Sequence, residues 1–156
     1  MLAFRRTLRI AFVVGSLALA GFAVAAGTPD ELITARQNAM KANAEAQKSL
    51  AGIARGTQPY DPAIVTAALD AMTAALAAQR DGNVWDASAQ QGSAVKSRAA
   101  PAIWQQPDAF AAAMKELETA IATVRATTDL TSFKAAYSSI GSACRDCHDQ
   151  FRTSDG

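Results

Sequence analysis

The chain has 156 residues, with 15 Lys+Arg, 14 Asp+Glu and a single His, for a formal charge of +1. That balance carries no basic footprint for nucleic acid, and the length suits one domain. The chain is rich in Ala and poor in aromatics, with almost no β-branched alternation, which points to helices throughout.

The first 26 residues read as a targeting segment, cleaved to leave a domain over 27–156. Arg5, Arg6 and Arg9 form a basic start, Ile10 to Ala20 an apolar run, and Ala23-Val24-Ala25 or Val24-Ala25-Ala26 an A-x-A-like cleavage site. The run is short for a span of about 20 residues, and no basic stop follows. General secretion into a bacterial periplasm is the expectation, with no stable membrane association after cleavage. Removal takes three arginines and no acid, so the remainder carries 12 basic and 14 acidic residues, a net −2. A mildly acidic protein of this kind would meet a basic patch on its partner.

Four helices follow. Thr28-Pro29-Asp30-Glu31 combines a cap, a proline at the first helical position and a capping box, and the helix runs to about Arg55 before Gly56. Its inward face is taken as Ile33, Arg36, Met40, Ala44, Gln47 and Ala51, small enough in places to leave room for a large planar group. Asp61-Pro62 opens a second helix that ends at Gly82, with Val65, Leu69, Met72 and Leu76 spaced four, three, four. A third starts at Pro107 and carries Phe110, Met114, Leu117, Ile121 and Val124. A fourth starts near Asp129, with Phe133, Tyr137, Ile140, Cys144, Cys147 and Phe151 in one seam. Such seams pack helices nearly antiparallel, so the fold class is all-α, an antiparallel four-helix bundle. The stretch from Asn83 to Gln106, holding Trp85, Pro101 and Trp104, is long for a helix connection and is expected to wrap one end of a pocket.

Near the C-terminus stands Cys144-Arg145-Asp146-Cys147-His148. Cys-x-x-Cys-His is the attachment signature of haem c. Two thiols form thioethers with the porphyrin vinyl groups, and the imidazole reaches the iron as the proximal ligand. Helical spacing puts all three side chains on one side. A zinc site would need a fourth ligand, which only a distant carboxylate could supply because His148 is the one histidine and there is no third cysteine. A thioredoxin-like pair expects a βαβ setting. A disulfide between residues so close on a helix would be strained. Because the cysteines lie in the fourth seam, the haem is placed inside the bundle, as part of its core.

With these residues in view, the chain resembles the cytochrome c′ family, the class II c-type cytochromes. The similar stretches are Gly141 to Arg152, Ala100-Pro101-Ala102-Ile103-Trp104, and Ala35-Arg36-Gln37-Asn38-Ala39-Met40-Lys41. The resemblance implies thioethers at Cys144 and Cys147, proximal ligation by His148, a basic residue near the haem at Arg152, and an arginine near the haem propionates at Arg36. For these two arginines the plainer alternatives are a solvated last-turn residue and a surface salt bridge. The resemblance also puts Met40 at the distal position. There a methionine ligates the iron in low-spin relatives and merely shields it in high-spin ones. Gly56 to Asp61 and Met40-Lys41-Ala42-Asn43 are more similar to the low-spin branch. Met72 and Met114 lie at similar levels along the bundle, so the choice of Met40 rests on the resemblance.

Three functions follow from these alternatives. A His/Met haem would carry single electrons for an unidentified redox partner protein. An open five-coordinate haem would bind nitric oxide or carbon monoxide. A peroxidase would need a distal base, and no second histidine exists to supply it. The family also implies a possible homodimer.

Overall fold

The computed structural model describes residues 27–154, so the targeting-segment reading of 1–26 lies outside the described residues. Four long helices form the molecule: α1 (Pro29–Ala54), α2 (Pro62–Asp81), α4 (Pro107–Arg125) and α5 (Leu130–Phe151). A single-turn helix, α3 (Ala102–Gln105), and a 3₁₀ turn (Ala87–Ala89) lie in the connection between α2 and α4. Sequence periodicity gave no warning of either.

The helix ends follow from their capping chemistry. Thr28 and Glu31 form the reciprocal box, with the Thr28 N–H donating to Glu31 Oε2 at 2.7 Å. Asp61 caps α2 ahead of Pro62 by accepting the Ala63 N–H. Asp129 caps α5 by accepting from the N–H groups of Thr131 and Ser132. Beyond α1, Gly56 takes a φ of 75°, left-handed backbone that glycine enters without a Cβ penalty.

Each helix packs on its neighbours in a closed ring, α1 on α2, α2 on α4, α4 on α5 and α5 back on α1. The α1–α2 and α4–α5 pairs are the most extensive, and the α1–α5 contact is the slightest of the four. The bundle has two unequal halves. In one, Leu50, Ile53, Leu69, Met72, Val124, Phe133 and Ile140 have no exposed surface and form the main core. Each such side chain contributes about 1.5–3 kcal/mol by leaving water. Tyr60 and Tyr137 flank Phe133 at ring distances of 5.8 and 5.7 Å. α2 is apolar and long enough to resemble a membrane span by composition, yet its Val65, Leu69, Met72 and Leu76 are all buried in this core.

The other half is built around the connection. Here Leu32, Ile33, Val84 and Ala89 form a small separate cluster. A chain of aromatic edges runs from Trp85 to Phe110 (4.9 Å) and on to Phe151 (5.2 Å). The connection is tied to α1 by side chains. The Asp30 carboxylate accepts from Ser93 Oγ at 2.6 Å and from the N–H groups of Ala94 and Val95. Gln37 Nε2 donates to the Lys96 carbonyl. A Cβ on Gly92 would collide with Asp30 Oδ1, so only glycine lets the strand pass that close. The far side of the connection is tied to the end of α5. The Ala100 N–H donates to the Phe151 carbonyl, the Thr153 N–H to the Arg98 carbonyl, and Ala99 and Arg152 form an antiparallel bridge.

The Ser93 hydroxyl, together with the Val95 and Ala94 N–H groups, holds the Asp30 carboxyl below the usual carboxylate range. A depressed folded-state pKa stabilises the fold above the unfolded value and is lost as pH falls through the folded value. Asp30→Asn should therefore flatten part of the stability loss seen on acidification below about pH 4. Urea midpoints of the two proteins across that range check it, and parallel curves would show that the tie carries no linkage.

Helix α1 departs from expectation. Its buried stripe is Ala39, Asn43, Ala46, Leu50 and Ile53 in addition to Ile33 and Arg36. Met40, Gln47 and Ala51 are only partly buried, and Ala44 is exposed to the cavity described below. The helix therefore has two inward faces. Its C-terminal half packs into the main core, and Ile33, Arg36, Met40 and Ala44 turn toward a space beside α5.

Candidate haem site

That space is a cavity of about 560 Å³, within the size range of cofactor sites. α1 lines it with Ile33, Arg36, Gln37, Asn38, Met40, Lys41 and Ala44. The connection adds Trp85, Ser97, Arg98, Ala99 and Ile103. The helical ends add Phe110, Cys147, His148, Phe151 and Arg152. It lies beside the slightest helix contact, in the half away from the main core. The chamber lies within the four-helix bundle at the C-terminal end of α5, as expected for a haem near that helix; the connection roofs it, and Cys144 joins it to the main core one turn earlier.

His148 and Met40 line this one chamber from different helices. Of the other methionines in the described helices, Met72 is wholly buried in the main core and Met114 packs on that core. Neither lines the cavity, which separates Met40 from residues that sequence level could not exclude. Cys147 lines the chamber, whereas Cys144, one turn earlier, packs against the main core. Both thiols are free and half-buried. Burial raises the pKa of each, that of Cys147 to about 11 with help from Cys144. Burial lowers the pKa of His148, and Arg152 and Arg98 lower it further. The imidazole is therefore held neutral, the form in which a ring nitrogen can bind a metal. No group of three His, Cys, Asp or Glu among the described residues is arranged to hold a metal ion, so the zinc alternative finds no ligand set.

Arg36 is 4% exposed and is not in a surface salt bridge. Nη1 donates to the Val84 carbonyl at 3.0 Å, and Nη2 donates to the Ala89 carbonyl at 2.8 Å and to Ser97 Oγ at 3.2 Å. Its guanidinium lies 4.8 Å from the Trp85 ring and 5.9 Å from Trp104. Burial lowers its pKa. This residue anchors the chamber roof as well as lining the chamber. Arg152 is exposed at the end of α5, at the rim. Sequence reasoning missed Lys41, Arg98, Phe110 and Ile103 as lining residues, since no local pattern marks them.

Arg36→Ala would leave two buried carbonyls without their donors and remove a cation stacked on Trp85. The expected loss is about 3 kcal/mol or more, from three hydrogen bonds to a charged donor less relaxation. Chemical denaturation checks it. A loss under 1 kcal/mol would mean the roof does not depend on this tie.

The donor set fits a c-type haem: two thiols, a neutral imidazole, a thioether sulfur on another wall, and basic side chains in the lining that suit a group carrying two carboxylates. The fold and the site together define a haem-binding four-helix bundle. The family model "Cytochrome C'" matches residues 31–152. Cytochrome c-554 of Cereibacter sphaeroides is 31% identical over 148 residues, covering 94% of this chain and 96% of that protein. Cytochrome c′ of Rhodopseudomonas palustris is 31% identical over 147 residues, covering 93% and 96%. The crystal structure of cytochrome c′ from Rubrivivax gelatinosus matches with a TM-score of 0.72 at 26% identity, covering 81% of this chain and 98% of that one. The chain belongs to the cytochrome c′ family, the class II c-type cytochromes, and its cofactor is covalently bound haem c.

Proposed function

We propose that this protein is a periplasmic carrier of single electrons. In this reading Cys144 and Cys147 hold the haem, His148 is its proximal ligand and Met40 its distal one, while Arg36 and Arg152 sit near the propionates. The observation that carries the reading is that Met40 and His148 line one chamber that the other described methionines do not reach.

The haem supplies an iron that changes by one charge. The protein's part is to keep the geometry fixed while it does so. A neutral imidazole and a thioether are ligands suited to that, and the thioether raises the potential. Arg36 and its carbonyl partners hold the wall beside Met40, and the bridge between Ala99 and Arg152 holds the wall beside His148. Among the described residues the lining contains no carboxylate and no second imidazole to move a proton, which favours a carrier over a peroxidase. An unidentified redox protein is the partner, and a homodimer is a possible assembly.

The visible spectrum of the reduced holoprotein, with and without carbon monoxide, tests this. A six-coordinate low-spin spectrum little changed by carbon monoxide is expected. A high-spin spectrum with prompt carbon monoxide binding would replace the reading with a five-coordinate binder of nitric oxide or carbon monoxide.

A further inference from the structure

The chamber's charge is opposite to that of the protein around it. From residue 27 onward the chain has 12 basic and 14 acidic residues. Among the described residues the chamber is lined by Arg36, Lys41, Arg98 and Arg152 and by no Asp or Glu. The neighbouring groove between α4 and α5, of about 500 Å³, shows the reverse: Glu116 and Asp146 line it, with no Lys or Arg. Cys147 borders both. The molecule is thus polarised across the haem-bearing end of α5.

The cations of the chamber are not equivalent. Arg36 is buried and tied to carbonyls. Arg98 has a further interaction of its own. With Arg98 set aside, Arg36, Lys41 and Arg152 still line the chamber, three positive charges against the two negative charges that a haem's carboxylates would bring. Elsewhere on the surface Arg80, Lys115 and Arg125 are paired with carboxylates. Lys41 is exposed at the chamber's rim, one residue after Met40, and has no ion-pair partner among the described residues.

We propose that the chamber mouth is the electron-exchange face and that it docks an anionic surface of a redox partner, with Lys41 as the steering residue. The proposal rests on the electron-carrier reading, and it reverses the expectation from net charge that the partner would present a basic patch. Fields focused at a low-dielectric cleft act on approaching charge more strongly than net charge does, and they are screened beyond about 10 Å at 0.1 M salt.

The test is stopped-flow oxidation of the ferrous holoprotein by hexacyanoferrate(III), a trianion, and by tris(phenanthroline)cobalt(III), a trication, at low and high ionic strength. The trianion should react faster at low salt and slow as salt rises, although the protein's net charge would repel it. Lys41→Glu should cut that low-salt rate about threefold or more and flatten its salt dependence. Lys134→Glu makes the same charge change at the exposed start of α5, far from the chamber, and should leave both nearly unchanged. Lys41→Gln should fall between wild type and Lys41→Glu, and the visible spectrum should be the same for all. Reduction of the ferric form by a plant-type ferredoxin, an acidic iron–sulfur protein, should follow the same order. If the trication is the favoured reagent at low salt, or the two Glu variants behave alike, the docking face is wrong while the carrier reading stands. If neither reagent exchanges electrons with the haem, the carrier reading falls and the docking face falls with it.

Discussion

Met40→Ala should convert the haem from six-coordinate low-spin to five-coordinate high-spin and create rapid carbon monoxide binding. Met40 and His148 line one chamber, and neither of the other described methionines lines it to replace the lost sulfur. An intramolecular ligand competes with an external one by reducing the fraction of open sites. A thioether bond worth about 3 kcal/mol would suppress carbon monoxide affinity about a hundredfold, and its removal should restore that factor. Met40 is only half-buried, so truncation should cost about 1–2 kcal/mol of stability, less than a core methionine. Met40→Leu separates packing from ligation, since it keeps most of the volume and loses the sulfur. It should be as high-spin as the alanine variant and nearly as stable as wild type. If both variants keep the wild-type spectrum and change only the rate of ligand entry, Met40 is a steric shield and the gas-binding function takes first place.

Cys144→Ala with Cys147→Ala should abolish the covalent link, so that acid–acetone extraction or denaturing electrophoresis frees the haem. Each single variant should retain one thioether and keep the haem with the polypeptide. The loss goes beyond attachment. A tether makes both axial ligands intramolecular partners of the iron, at an effective concentration in the millimolar range. The double variant must instead recruit haem from solution, and its spectrum should become dependent on added haem. The two positions differ in their surroundings. Cys144 packs against the main core, so its truncation also removes core contact, whereas Cys147 borders open space on two sides. Haem extracted freely from wild type would refute the attachment at both.

The fold was legible because its signals are local. Thr28 with Glu31, Asp61 with Pro62, Pro107 and Asp129 mark helix starts within a turn of where they occur. The four, three, four spacing of Val65, Leu69, Met72 and Leu76 picked four residues that are all buried. The attachment motif is likewise local, five residues on one helix. Helix α1 was read less well because its core stripe is made of Ala39, Asn43 and Ala46, which carry little hydrophobic signal against the surrounding alanines. The length of the stretch from Asn83 to Gln106 marks it as the wrapping segment, but the ties that hold it as a roof cannot be read. They are hydrogen bonds that link Asp30, Arg36 and Gln37 to residues 48 to 65 positions away, and no periodicity encodes a bond of that range. The resemblance implies Arg36 only as a propionate neighbour; its role as the roof anchor depends on where the Val84 and Ala89 carbonyls fall in space. The positive rim is illegible for the same reason, since Lys41, Arg98 and Arg152 come together only when three segments converge.

The slight contact between α1 and α5 also bears on how the molecule is assembled. Two hairpins, α1 with α2 and α4 with α5, can each form from residues close in the chain, and contacts of that kind form early. The ring then closes at α1–α5, the joint between the first and the last of the described helices. Met40 leaves the ribosome more than a hundred residues before His148, so the chamber cannot exist until α5 has been made. Until that joint shuts, the Cys144–His148 segment stands at the free margin of the second hairpin, open to whatever machinery attaches the haem. A haem held by Cys147 and His148 on α5 and reached by Met40 on α1 would fasten there what the two helices hold only weakly by themselves.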